Sequence, residues 1–395
     1  MSQGARTPTS AATPCRGFAT AVEGAEQFGL AGLTNAPDGD CKSPAQAADV
    51  GVRAPIPIRV HSCVSRATSA SFVIRDYDLA ATLASGQAFR WREFGVPASA
   101  GPPGRLKAGH PTGRVWEGVV AGRWIRLWQD GQVIHAETAG PQADWRWLRD
   151  YLQLDADLAA VLATFPDDAP MRASVAACRG LRLLRQEPWE CLASFICSST
   201  KQIVQIQQII ALLCERFGEP IPVGDDVRSL HFLPRPEMPD ARPNAKPEPP
   251  HVGCYPTFAF PAAARLAACS EAELRLCKMG FRAPYVLAAA KAVASGELDL
   301  NRLHSLQTAE ARAALMGLRG VGRKIADCVL LFAYGKQDAF PVDVWVRRAL
   351  KELYFPRRRP SEKRLEHFAS THFGPNAGYA QQYLFHYVRT LRPKE

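Results

Sequence analysis

The run Leu318-Arg319-Gly320-Val321-Gly322-Arg323-Lys324-Ile325-Ala326-Asp327-Cys328, followed by Pro341-Val342-Asp343-Val344, constrains this chain more than any other stretch. Two closely spaced glycines between two helical segments specify a tight hairpin joining helices. Gly320 and Gly322 permit positive φ and leave no Cβ in the way. Backbone N–H groups at the N-terminus of the second helix are then open to a phosphate, which the helix dipole also favours. Alone, such a turn is more often an ordinary helix corner. Lys324 changes the balance, because it falls in the first turn of the second helix. A positive dipole end and partial burial both disfavour a cation there, which favours a neutral amine able to attack carbon. Asp343 precedes a helical stretch at 344–350, so it reads as an N-cap, as a carboxylate serving the amine, or as both. Pro341 fixes the backbone just before it.

The rest of the composition suits a polyanion partner. The 395 residues carry a net charge of +10. A basic balance alone means only a solvated surface in many proteins. Here Arg347, Arg348, Lys351, Arg357, Arg358, Arg359, Lys363 and Arg364 cluster just beyond Asp343, which favours nucleic acid. No apolar run reaches the ~18 residues that span a bilayer, so no membrane association is expected. The eleven cysteines form no CxxC pair and no regular framework. They read as reduced thiols, with no metal site. No cysteine follows Cys328, which excludes a four-cysteine cluster at the C-terminus.

Residues 1–66 lack periodicity and read as a disordered tail. Arg6 and Arg16, with no acid before Glu23, faintly resemble an organelle-targeting segment, but no basic amphipathic helix accompanies them. Residues 72–140 read as strands. Val115–Val120 and 123–128 flank an Ala121-Gly122 turn, and Asp130-Gly131 signals a second hairpin returning through 132–136. Residues 93–114 read as a Gly/Pro-rich loop. Helical text begins near 143 and includes 191–197, 203–217, 262–266, 271–277, 285–295, 310–317 and 378–390. A proline-rich insertion is expected at 219–256. The expected fold class is α+β: an antiparallel-sheet N-terminal domain (67–180) packed on an all-helical region (181–395) that carries the hairpin.

Several separated motifs together resemble the 8-oxoguanine DNA glycosylase family of helix–hairpin–helix DNA glycosylases. Besides the hairpin run, these are Ser85-Gly86-Gln87-Ala88-Phe89-Arg90-Trp91-Arg92, 190–199, Gly280-Phe281-Arg282-Ala283-Pro284-Tyr285, and Gly378-Tyr379-Ala380-Gln381-Gln382-Tyr383-Leu384-Phe385. The resemblance covers roughly 70–390. It implies a bifunctional glycosylase and apurinic-site lyase acting on duplex DNA that contains 8-oxoguanine. The base is flipped from the stack, Lys324 attacks C1′, and Asp343 stabilises the developing charge. It further implies that the Gly86 carbonyl accepts from N7–H of the lesion, where guanine has an acceptor. Phe385 would stack on the base, Gln381 would meet its Watson–Crick edge and Cys328 would pack on its other face. Gly320, Gly322, Thr200, Lys201, Phe281, Arg282 and Arg347 would face DNA, with Phe281 as a wedge. Read without the resemblance, Gly86 is a turn glycine, Phe281 and Phe385 core aromatics, Cys328 a buried thiol and Arg282 a solvated arginine. No cofactor is implied beyond a monovalent cation on the hairpin carbonyls. A monomer associated with DNA inside the cell is implied, in a bacterial nucleoid or a eukaryotic nucleus.

Departures from the family pattern bear on the opposing base. Trp345 stands where the family has a phosphate-contacting histidine, and Arg347 or Arg348 would have to compensate. Thr200 and Lys201 replace asparagines, and Gln205 replaces an arginine that reads cytosine. Reduced selectivity for the opposing base is the expectation. Two alternatives stay open: a relative acting on another damaged base, and a non-catalytic DNA-binding protein using the hairpin as a clamp. The retained Lys324 and Asp343 argue against the second.

Overall fold

Among the residues described, six strands form one antiparallel sheet: β1 (Arg59–Ser62), β2 (Ala67–Val73), β3 (Arg92–Gly95), β4 (Arg114–Val120), β5 (Arg123–Asp130) and β6 (Val133–Ala139). Their order is β1-β2-β6-β5-β4-β3. The computed structural model describes residues 59–62, 67–95, 114–221, 257–358 and 360–391. Most of the expected tail, the centre of the 93–114 loop and nearly all of the proline-rich insertion lie outside these residues.

The two hairpins follow from their turns. Ala121 (φ 48°) and Gly122 (φ 73°) supply the left-handed pair between β4 and β5. The second turn is centred on Gly131-Gln132, one residue later than expected, because Asp130 still pairs with Val133. Two features depart from the sequence reading. β1 lies within the stretch assigned to a tail, and it is the pairing with β2 that makes those four residues a strand. A helix, Leu79–Ala84, interrupts the region read as strands. Asp78 caps it by accepting from Ala81 N, and six residues are too few to show a helical period.

Alternation in β5 sends Ile125 and Leu127 to one face, where they join Ile134 and Ala136 of β6. Trp145, Leu148 and Leu152 cover that face from the helix Arg146–Leu152 and its N-cap. Each fully buried aliphatic side chain contributes about 1.5–3 kcal/mol. The opposite face of β5 is also closed. Arg126 lies buried there, with its guanidinium 2.6 Å from Glu117 and 3.4 Å from Glu137.

A second, larger core is helical. It gathers the helices Pro188–Cys197, Ile203–Phe217, Ala283–Ala294, Thr308–Met316, Arg323–Phe332, Val344–Tyr354 and Ala377–Leu391. The segment 85–91 runs between the two cores. Ala88 and Trp91 enter the sheet core, while Phe89 enters the helical one and meets Phe195 edge-on. Gly86 is thereby fixed where sheet and helices meet.

Candidate active site

The hairpin joins the helix Thr308–Met316 to the helix Arg323–Phe332, here called the lysine helix. An ion pair to the buried Asp327 braces them: the half-buried Arg312 donates from Nε to Asp327 Oδ1 at 2.5 Å. Gly320 has φ +85°, and a Cβ there would lie 2.5 Å from Tyr285 Cδ2. Both the backbone and the packed tyrosine therefore demand glycine. Gly322 does not use the freedom expected of it. Its φ is −93°, and it serves as the N-cap of the lysine helix. A Cβ there would meet nothing within 4 Å. No side chain caps this helix, so its first N–H groups stand beside open space.

Lys324 lies in the first turn, partly buried. Its Nζ donates to Ser198 Oγ at 3.2 Å and sits 5.3 Å from the centre of the Phe195 ring. Asp343 caps the helix Val344–Tyr354, accepting from Val346 N at 2.7 Å. Burial pushes its carboxyl above the usual range, and the Val346 N–H and the Lys324 charge pull it back. The N-cap reading of Asp343 therefore holds. Cys328 lies one turn after Lys324 and is buried. Burial pushes its thiol up to about 12, against the opposing pull of Lys324.

The helix Ala377–Leu391, here the pocket helix, is fixed on its far side. Tyr379 Oη accepts from Leu183 N at 3.1 Å, and Tyr383 Oη donates to Leu181 O at 3.1 Å. Gln381, Phe385 and Arg389 repeat every fourth residue and so form one stripe. Gln381 is 4% exposed and its Oε1 has no hydrogen-bond partner. Gly86 has φ +82°, and its missing Cβ would lie 2.5 Å from Arg389 Nη1, 2.8 Å from Ile203 and 3.5 Å from Phe385. Gly86, Ile203 and Arg389 line one cleft with Leu83 and Trp91. Lys324 and Asp343 are not part of its lining. The 198–203 segment links the two groups, holding Lys324 through Ser198 and touching Gly86 through Ile203.

Three residues here were not singled out by the sequence. Gln87, 1% exposed, donates to Thr82 O, Ser85 Oγ and Arg182 O, and accepts from Leu184 N at 2.7 Å. It fixes the turn that presents Gly86. Ser198 partners the lysine. Arg389 donates through Nη2 to Ala84 O at 2.7 Å, while its buried Nη1 has no partner. Only the fourfold spacing from Gln381 and Phe385 could have flagged it.

The DNA-facing expectations divide. Phe281 is 52% exposed, so it is not the core aromatic of the alternative reading. Arg282 is neither solvated nor free. It is 3% exposed, stacks 4.2 Å from the Phe281 ring and donates to Ser199 O and to Thr200 Oγ1. It ties the wedge to the 199–201 turn, where Thr200 adopts φ 55° beside Lys201. Arg347 pairs with Glu362 at 2.8 Å and Arg348 with Glu352 at 2.7 Å. Exposed pairs of this kind are worth about 0–1 kcal/mol, so a phosphate can displace them. Gln205 is held in a capping box, its Oε1 accepting from Gln202 N at 3.2 Å. Among the described residues no His, Cys, Asp and Glu cluster is placed to hold a metal ion, and no helix is long and apolar enough to cross a membrane.

Residues 71–192 match the 8-oxoguanine DNA glycosylase N-terminal domain, and residues 193–375 match the HhH-GPD superfamily of base excision DNA repair proteins. A probable N-glycosylase/DNA lyase of Methanothermobacter thermautotrophicus is 31% identical over 57% of this chain and 69% of its own length. An Arabidopsis thaliana N-glycosylase/DNA lyase is 29% identical over 77% of this chain and 75% of its own. The Clostridium acetobutylicum 8-oxoguanine glycosylase/lyase, solved with duplex DNA containing cytosine opposite 8-oxoguanine, superposes with a TM-score of 0.66. It is 26% identical, covering 85% of this chain and 98% of that one.

Proposed function

We propose how this chain acts from the family to which it belongs, the 8-oxoguanine DNA glycosylases of the helix–hairpin–helix base excision repair superfamily. It is a bifunctional DNA glycosylase and apurinic-site lyase that removes 8-oxoguanine from duplex DNA. One observation supports this most: Lys324 stands in the first turn after the hairpin with its Nζ on Ser198, and its charge acts on the partly buried Asp343 carboxyl at the N-cap of another helix. A clamp that only binds DNA has no use for that pair.

The hairpin N–H groups at Gly322 hold a backbone phosphate, and Phe281 fills the space that the flipped nucleotide leaves. The base lies against Phe385 and Cys328, with Gln381 at its Watson–Crick edge and the Gly86 carbonyl accepting from N7–H. The Lys324 nitrogen lone pair then forms a bond to C1′. The C1′–N9 bond breaks, and the base leaves with its electron pair and takes up a proton. Asp343 stabilises the positive charge that develops on the sugar. After ring opening and loss of a proton, nitrogen and C1′ form a Schiff base. Removal of a C2′ proton then expels the 3′ phosphate and cuts the strand. Amine and carboxylate suffice for these steps, so no catalytic metal enters them. A monovalent cation on the hairpin carbonyls would have a structural role only. The protein works at DNA as a monomer, and the compartment follows that of the DNA it repairs.

The test is borohydride trapping on a duplex with one 8-oxoguanine opposite cytosine, comparing native protein with Lys324→Gln. A covalent adduct formed by native protein alone is expected. Base release without an adduct would remove Lys324 as nucleophile, and neither adduct nor release would remove the substrate assignment. Repeating the assay opposite A, G and T addresses the engaged Gln205. Comparable rates are expected, and strong dependence on cytosine would show that another residue reads it.

A further inference from the structure

Arg389 is the one member of the pocket stripe without a role in the reaction above. Its guanidinium is anchored through Nη2 on Ala84 O and lies 5.5 Å from the centre of the Phe385 ring. Nη1 is buried, unpartnered and directed at Gly86. A buried donor on a cationic group is costly to leave unpaired, so the site is built to receive an acceptor there. We propose that Arg389 Nη1 donates to the O8 carbonyl of the flipped base, making it a specificity-determining residue. The inference rests on the reading that 8-oxoguanine is the substrate.

The chemistry of the lesion fits. 8-Oxoguanine differs from guanine at two adjacent positions: N7 gains a hydrogen and C8 gains an oxygen. The Gly86 carbonyl is an acceptor for the first, and a donor beside it is the complement of the second. Guanine offers C8–H at that place and would leave Arg389 unpaired. Position along the helix selects O8 over O6. Arg389 lies about two turns, or ~12 Å, beyond Gln381. Gln381 meets the Watson–Crick edge, and O6 adjoins that edge. O8 lies at the far end of the purine, on the side of Arg389 and Gly86.

The test compares single-turnover release of 8-oxoguanine with that of 8-thioguanine, which keeps N7–H and replaces O8 by a weaker acceptor. Arg389→Met keeps an unbranched stem and removes the donors, and Arg389→Lys returns one. A melting curve for each variant verifies folding. Native protein should prefer the oxo base. Arg389→Met should lose roughly 10- to 100-fold on that base and bring the two rates together, while Arg389→Lys recovers part of the preference. Affinity for a duplex carrying a tetrahydrofuran abasic analogue should not change. An unaltered oxo-to-thio ratio in Arg389→Met would overturn the inference, as would a uniform loss of tetrahydrofuran-duplex affinity, which would mark a phosphate contact. Native protein that releases no 8-oxoguanine would overturn this and the preceding assignment together. An active native enzyme with an unmoved ratio would overturn this one alone.

Discussion

Substituting Gly320→Ala should destabilise the protein through two separable effects. The residue sits at φ +85°, which costs an L-residue about 1–2 kcal/mol. The new methyl would also lie 2.5 Å from Tyr285 Cδ2 and 2.9 Å from Tyr285 Cβ. Forcing a carbon into packed surroundings costs about 1–3 kcal/mol. The sum is about 2–5 kcal/mol. With a urea slope of ~3 kcal/mol/M, the unfolding midpoint should fall by roughly 1 M. A double-mutant cycle with Tyr285→Ala separates the parts. Removing the ring relieves the overlap and leaves the backbone strain, so the pair should cost ~1–3 kcal/mol less than the sum of the single changes. Additivity within ~0.5 kcal/mol would refute the steric argument. Gly322→Ser is the companion. That position has no positive φ and open space around it, and serine is a good N-cap. Stability should hold or rise slightly, while binding to undamaged duplex weakens as the side chain enters the phosphate's approach. Normal binding would mean that phosphate does not come close to Gly322.

Two further perturbations probe the chemistry and its scaffold. Because burial raises Asp343, single-turnover excision should fall on acidification at a pH above the ordinary aspartate value of about 4, since protonation removes the charge that stabilises the sugar cation. Asp343→Asn should lose that acid limb, and a limb at or below about pH 4 would contradict the burial argument. Gln87→Leu strands the carbonyl of Arg182 and the N–H of Leu184, while Thr82 O keeps its bond from Ser85 Oγ. At about 1–3 kcal/mol for each of these two orphaned groups, urea unfolding should register a loss of ~2 kcal/mol or more. A loss below ~0.5 kcal/mol would show that the Gly86 turn is held by something else.

Much of this site could be read from the chain because its chemistry is local. Lys324 and Cys328 are one helical turn apart, Asp343 directly precedes a helix, and Gln381 and Phe385 share a stripe; spacing alone relates each of them. The two hairpins of β4, β5 and β6 were legible for the same reason, since turn residues and alternation lie side by side in the text. What could not be read depends on how distant segments meet. Gln87 reaches Arg182 and Leu184, Lys324 reaches Ser198, and Arg389 reaches Ala84. The arginines make the physical point. Arg282 and Arg347 stand in motifs that imply contact with DNA, yet one has its donors committed to the 199–200 turn and the other pairs with Glu362. Arg389 stands in no quoted motif, yet it keeps a buried donor without a partner. Motif membership identifies which side chains are chemically able to act. The fold decides which of them still has a hydrogen bond to give, and in this pocket that residue faces Gly86.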